Sequence, residues 1–164
     1  MKPLFLFLIA CFFLLQLKAQ DCNLIENTDP GLTNLSYQTV FVTVVDRKDK
    51  FNIKFWKFKS KFAISCFVVT KDTFCVDAAS SVTFNFNDGS RFSFVSDKKH
   101  NCQGELDKDY INNEQNKESA ALEIKKVASI EVAGIHSKKS FIVDEKTAVS
   151  LQLAFHCIAE KKIQ

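Results

Sequence analysis

Six cysteines and three histidines are the residues of this 164-residue chain best equipped for covalent or metal chemistry. His100 stands two residues before Cys102 and His156 directly precedes Cys157, so a thiolate–imidazole site would form if those two segments met in space. A disulfide joining Cys102 to Cys157 would account for the same convergence without chemistry. No pair of histidines has a metal-type spacing such as His-x-x-x-His. The chain has no Cys-x-x-Cys, no Gly-x-Ser-x-Gly elbow and no glycine-rich phosphate loop. Asn85-Phe86-Asn87-Asp88-Gly89 lacks the spaced carboxylates and closing Glu of a calcium loop. The sequence therefore names no catalytic residue, no metal ligand and no cofactor.

A second group of residues has the types needed for binding. From Lys48 to Phe62, Lys50, Lys54, Lys57, Lys59 and Lys61 interleave with Phe51, Phe55, Trp56, Phe58 and Phe62. As a helix, this run would carry an aromatic stripe beside a lysine stripe, a pattern of interfacial helices. As two strands with an irregular step near Phe55-Trp56, it would send rings into a core and ammonium groups into water, and that reading is preferred. Lys50, Lys54, Trp56, Lys57, Lys59 and Lys61 then form a candidate surface for an anion or a membrane face. Lysines on exposed strands also keep sheets from pairing edge to edge.

The chain's beginning indicates where such a surface would work. Leu4 to Leu17 is an almost unbroken apolar run of fourteen residues behind Met1-Lys2, and it closes at Lys18-Ala19. A spanning helix needs ~20 residues, so residues 1–19 read as a signal peptide. A lipobox reading at Leu8-Ile9-Ala10-Cys11 is disfavoured, because Phe12-Phe13-Leu14-Leu15 remain apolar after Cys11. The mature protein is expected to be secreted or periplasmic, without a transmembrane segment. Removing Lys2 and Lys18 takes the formal charge from +3 to +1, and near-neutral charge with export excludes nucleic acid as a partner.

Cleavage at Ala19 leaves Cys22, Cys66, Cys75, Cys102 and Cys157, an odd number that predicts two bridges and one free thiol. Cys66, Cys75, Cys102 and Cys157 are the disulfide candidates. If Phe62–Val69 and Thr73–Asp77 pair around Thr70-Lys71, Cys66 faces Cys75 across the ladder. Cys102 with Cys157 is the second expected pair.

Hydrophobic periodicity supplies the framework. Residues 20–36 show no period and contain Asp29-Pro30-Gly31, which predicts an extended N-terminal arm ahead of a domain over residues 37–164. Gln38 to Asp46 is a β-branched strand. Val82, Phe84, Phe86, Phe92 and Phe94 alternate with polar residues on either side of Asp88-Gly89, which specifies a β-hairpin with those five residues buried. Ser96 to Ser119 is polar and reads as the longest loop, whereas Val127–Ala133 and Phe141–Asp144 read as strands. Glu145 to Lys162 fits both a strand and a helix period. Its Ala, Leu, Gln and Lys content, the Asp144 cap and the terminal lysines favour helix.

The predicted architecture is a single α+β domain, an antiparallel β-sheet of six or seven strands packed on one C-terminal helix. Asp88-Gly89, Ile130-Glu131-Val132 and Leu151-Gln152-Leu153-Ala154-Phe155-His156-Cys157 together resemble the outline of a loose group of uncharacterised small secreted bacterial β-rich proteins. That resemblance implies no activity to transfer. The expected function is a non-catalytic binding or envelope-associated protein, with an envelope component or another secreted protein as partner. The alternative is a small secreted hydrolase or thiol enzyme that draws Cys and His residues from separate loops.

Overall fold

The computed structural model describes residues 22, 24–28, 35–58, 61–110 and 119–160. The alternation in β4 (Asp49–Phe58) organises much of it. Phe51, Ile53 and Phe55 are fully buried on one side of this strand, and Lys50, Asn52, Lys54 and Trp56 occupy the other, as a two-residue period demands. β5 (Lys61–Val69) pairs with β4 along its whole length, and β8 (Glu105–Tyr110) pairs with the far side of β5. β2 (Leu35–Thr39) and β3 (Val42–Asp46) share the near side of β4, and β1 (Leu24–Thr28) pairs with β2. These six strands make the first sheet.

Between β2 and β3 the register slips by one residue. Gln38 lies opposite Trp56 but Val42 lies opposite Ile53, so Thr39, Val40 and Phe41 span two residues of β4. This is a β-bulge. Thr39 heals the gap in the ladder, its Oγ1 accepting a hydrogen bond from the Phe55 N–H at 3.0 Å.

The second sheet has the order β10-β9-β6-β7, with β6 (Ser81–Phe86), β7 (Arg91–Val95), β9 (Val127–Ala133) and β10 (Lys138–Ile142) all antiparallel. β6 and β7 form the hairpin expected at Asp88-Gly89. Gly89 takes φ 81°, and Asp88 Oδ1 accepts from the Ser90 N–H at 3.0 Å. Val82, Phe84, Phe86, Phe92 and Phe94 are buried, as the alternation predicts.

A short helix, α1 (Ala121–Ile124), precedes β9, and α2 (Glu145–Ala159) closes the described chain. Asp144 caps α2, its carboxylate accepting from the Thr147 N–H at 2.8 Å. Phe155 then sets its ring edge-on to Phe55 at 5.3 Å and to Phe62 at 5.4 Å, while Phe51 meets Phe141 of β10 at 5.6 Å. The inner face of the first sheet is thus divided between α2 and the second sheet. One apolar cluster joins all three layers.

The architecture is mostly antiparallel β with a C-terminal helix, but among the described residues ten strands in two sheets replace the expected single sheet of six or seven. Part of the expected N-terminal arm is β1, held by β2. Part of the expected polar loop is β8, whose sequence Glu-Leu-Asp-Lys-Asp-Tyr buries only Leu106 and so shows no hydrophobic period. β4 runs without interruption through Phe55-Trp56, and the irregular step lies across the ladder at Thr39–Phe41. Thr73–Asp77 does not pair with β5. Phe74 and Val76 make isolated bridges to Gln103 and Asn101 instead.

Candidate functional site

The outward face of the first sheet interleaves aromatic and aliphatic residues with charged and polar ones. Reading across the strands, Ile25, Gln38, Trp56, Ala63 and Asp109 form one row. Lys54, Ser65 and Asp107 form the next, followed by Thr43, Asn52, Phe67 and Glu105, then Val45, Lys50 and Val69. Ala63 is fully buried and Ser65 is 5% exposed although both point outward. Trp56 explains this. It lies directly opposite Ala63 and its Nε1–H donates to Ser65 Oγ at 3.2 Å, which holds the part-exposed indole beside both small residues.

The bulge adds Phe41 to this face. Its ring meets Phe67 edge-on at 5.5 Å and lies under Lys54 Nζ at 5.2 Å, a cation–π contact. Lys54 Nζ also donates to Gln38 Oε1 at 3.4 Å. Phe41 is 46% exposed, Val45 57% and Val69 49%, so the apolar area is contiguous and open. The outward face of the second sheet is tied by polar contacts, Thr83 bonding Ser93 and Asn85 bonding Ser129 and Glu131, with Val95 and Ile142 exposed at its margins.

Charge on the first face is segregated. Lys50 and Lys54 stand on β4, whereas Glu105, Asp107 and Asp109 stand on β8. Lys98 Nζ reaches Asp107 at 3.1 Å and Glu105 at 3.6 Å, and Asp107 is the main cause that holds the Lys98 pKa above its ordinary value. Asp97 seals the outer edge of β8, its N–H donating to Asp107 O at 2.7 Å and its carboxylate accepting from the Asp109 N–H at 3.0 Å.

Of the surface residues expected from sequence, Lys50, Lys54 and Trp56 meet on this face. Lys61 lies at its end, opposite Phe58. Lys57 does not belong to it. Its position in the β4 alternation turns it inward with Phe55, where it is 9% exposed and its Nζ donates to Ala159 O at the end of α2, at 3.4 Å. The ammonium satisfies a terminal helix carbonyl, and burial lowers its pKa. Lys59 lies outside the described residues.

A groove of about 550 Å³ opens around the bulge on the helix side. Thr39 to Thr43 form one wall, and Thr147, Ser150, Ala154 and Cys157 of α2 form the other.

The cysteines pair differently from expectation. Cys75 bonds Cys102 and Cys22 bonds Cys157, leaving Cys66 buried and free. Cys66 points into the core between Ile53 and Leu106, because its segment is an interior strand. Burial, and then the nearby Asp107 charge, push its thiol pKa well up. Cys75 instead faces Cys102 through the bridges at Phe74 and Val76. Two bridges and one thiol agree with the odd count, and two disulfides are consistent with an oxidising compartment. His100 Nε2 is 3.9 Å from Cys102 Sγ, a sulfur already bonded to Cys75. His156 Nδ1 contacts Glu123 Oε1 at 2.7 Å and ties α2 to α1. Among the described residues no group of three or more His, Cys, Asp or Glu is placed to hold a metal ion, and no helix is long and apolar enough to cross a membrane. Residues 1–19 lie outside the described residues.

Sequence reasoning missed Phe41, Phe67 and the three acids of β8. Phe41 and Phe67 sit within apolar runs that read as core, and only the register displays them. No protein-family model, curated protein or solved structure matches this chain.

Proposed function

We propose that this protein is an exported, non-catalytic binding module that meets an envelope component or another secreted protein through the outward face of its first sheet. The observation that carries this reading is the Phe41–Lys54–Trp56–Phe67 cluster, in which an exposed Phe41 is joined to three part-exposed side chains by ring, cation–π and strand contacts; the outward face of the second sheet carries no such aromatic cluster among the described residues, its apolar members Val95 and Ile142 standing among serine, threonine, asparagine and glutamate. Aromatic residues held by packing and hydrogen bonds contribute area to an interface at little entropic cost. The signal-peptide reading of residues 1–19 and the two disulfides both fit a working place outside the cytoplasm.

The acids of β8 weaken the case for an anionic membrane surface, since they share the face with the lysines. A thiol enzyme is a poorer fit as well. Cys102 and Cys157, the cysteines beside histidines, are both oxidised, and Cys66 is buried.

Site-specific photo-cross-linking tests the reading. A photoreactive side chain at Phe41 or Phe67 is expected to give discrete adducts in the native extracellular setting, and one at Thr83 or Ser93 of the second sheet is not. Equal yields from both faces would overturn the assignment.

A further inference from the structure

We propose that the partner of this face is a second copy of the chain, docked face to face about a twofold axis that runs along β5, parallel to the strands. The inference rests on the reading that this face is a binding surface, and it draws on the arrangement of charge. β4 carries Lys50 and Lys54 on one side of β5. On the other side, the β8 margin carries Glu105, Asp107, Asp109 and Asp97 against only Lys98 and Lys108. Rotation about an axis along β5 exchanges the two sides and keeps each row at its own height. Lys54, Ser65 and Asp107 occupy one row, so Lys54 of each copy comes over Asp107 of the other, twice in one symmetric interface. Rotation about an axis across the strands would stack Lys54 on Lys54 and Asp107 on Asp107. Only the first arrangement matches unlike charges.

The centre of the face suits sheet-on-sheet packing. Ala63 and Ser65 are already covered on this side, so the surface offered to a facing copy is made by Trp56, Phe67 and Val69, which bring their apolar area together along β4 and β5. Strands about 4.8 Å apart and rows about 6.8 Å apart give the four-strand face an area of roughly 500 Å² per copy, near the lower limit for a specific interface. Association is therefore expected to be weak and reversible, and to weaken further with salt.

Sedimentation velocity on the mature protein between about 1 µM and 1 mM tests this. Wild type is expected to shift from monomer to dimer, and Lys54→Glu or Asp107→Lys alone to weaken the dimer by at least about tenfold. An equimolar mixture of those two variants is expected to restore association, since the mixed pair has unlike charges at both contacts, and the double variant is expected to self-associate for the same reason. Recovery in the mixture also shows that both variants fold. A wild type that stays monomeric, single variants that associate normally, or a mixture that fails to recover would each overturn the twofold arrangement. If the chain is monomeric while Phe41 and Phe67 cross-link to a different molecule, the binding reading stands without the dimer. If they cross-link to nothing, both fall.

Discussion

Removing the Cys22–Cys157 bridge by the paired change Cys22→Ala and Cys157→Ala is expected to be the costliest single covalent edit to this fold. The bridge spans a sequence separation of 135, and closing a loop of that length in the unfolded chain corresponds to about 5 kcal/mol in the chain-entropy account. Cys75–Cys102 spans only 27, which corresponds to about 3.6 kcal/mol. Cys157 is also buried beside Phe155 and Ile158, so its truncation adds a cavity term of about 1 kcal/mol that the outer cysteine, Cys22, does not. Domains of this size are stable by about 5–15 kcal/mol, so losing both bridges would remove much of the total. Urea unfolding of the two paired-alanine variants, with midpoints and slopes compared with wild type, measures the difference. If the Cys75–Cys102 variant were the less stable, or the Cys22–Cys157 variant lost under about 1 kcal/mol, the loop-closure reasoning would fail.

Three further outcomes follow from particular residues. Gly104 sits at φ 71° with the Val68 carbonyl oxygen in the space that a Cβ would fill, whereas Gly89 at φ 81° has nothing within 4 Å. Gly89→Ala should therefore cost only the left-handed strain of about 1–2 kcal/mol, and Gly104→Ala at least about twice that, read by the same urea titration. The Thr147 N–H holds the Asp144 carboxyl below its ordinary pKa, and Lys125 and Ser90 do the same for Asp88. Depressed carboxyl pKa values stabilise the fold above the unfolded value near ~3.9 and lose that contribution as pH falls through the folded value, so Asp144→Asn should flatten the acid limb of a stability–pH curve. Cys66 should resist a thiol reagent in the native protein and react as one equivalent after unfolding without reductant; rapid native labelling, or more than one equivalent, would contradict the pairing.

Local signals made the hairpin at Asp88-Gly89, strand β9 and the capped helix α2 legible in the sequence, although the period of α2 alone also fitted a strand. Each of these carries its own signal: five alternating apolar residues around a positive-φ turn, β-branched residues, and an N-cap with a buried face. β1 and β8 carry none, because they are edge strands whose pairing is decided by neighbours far along the chain. The same limit applied to the site. Lys50, Lys54 and Trp56 were visible as residue types, but which of them share a face depends on strand register, and a single position in the alternation turned Lys57 inward to the end of α2. Cysteine pairing was illegible for a related reason. Cys75 finds Cys102 only through two isolated bridges, and Cys22 finds Cys157 only once α2 has docked.

Trp56 is the one tryptophan of the chain and lies on the proposed face, so its fluorescence reports directly on whether that face is covered. In the partnered state, reached by raising the protein's own concentration or by adding the cross-linked partner, its emission should move to shorter wavelength and its access to an aqueous quencher should fall. A partner bound at full occupancy with the Trp56 emission and quenching unchanged would place the interface elsewhere and contradict the account.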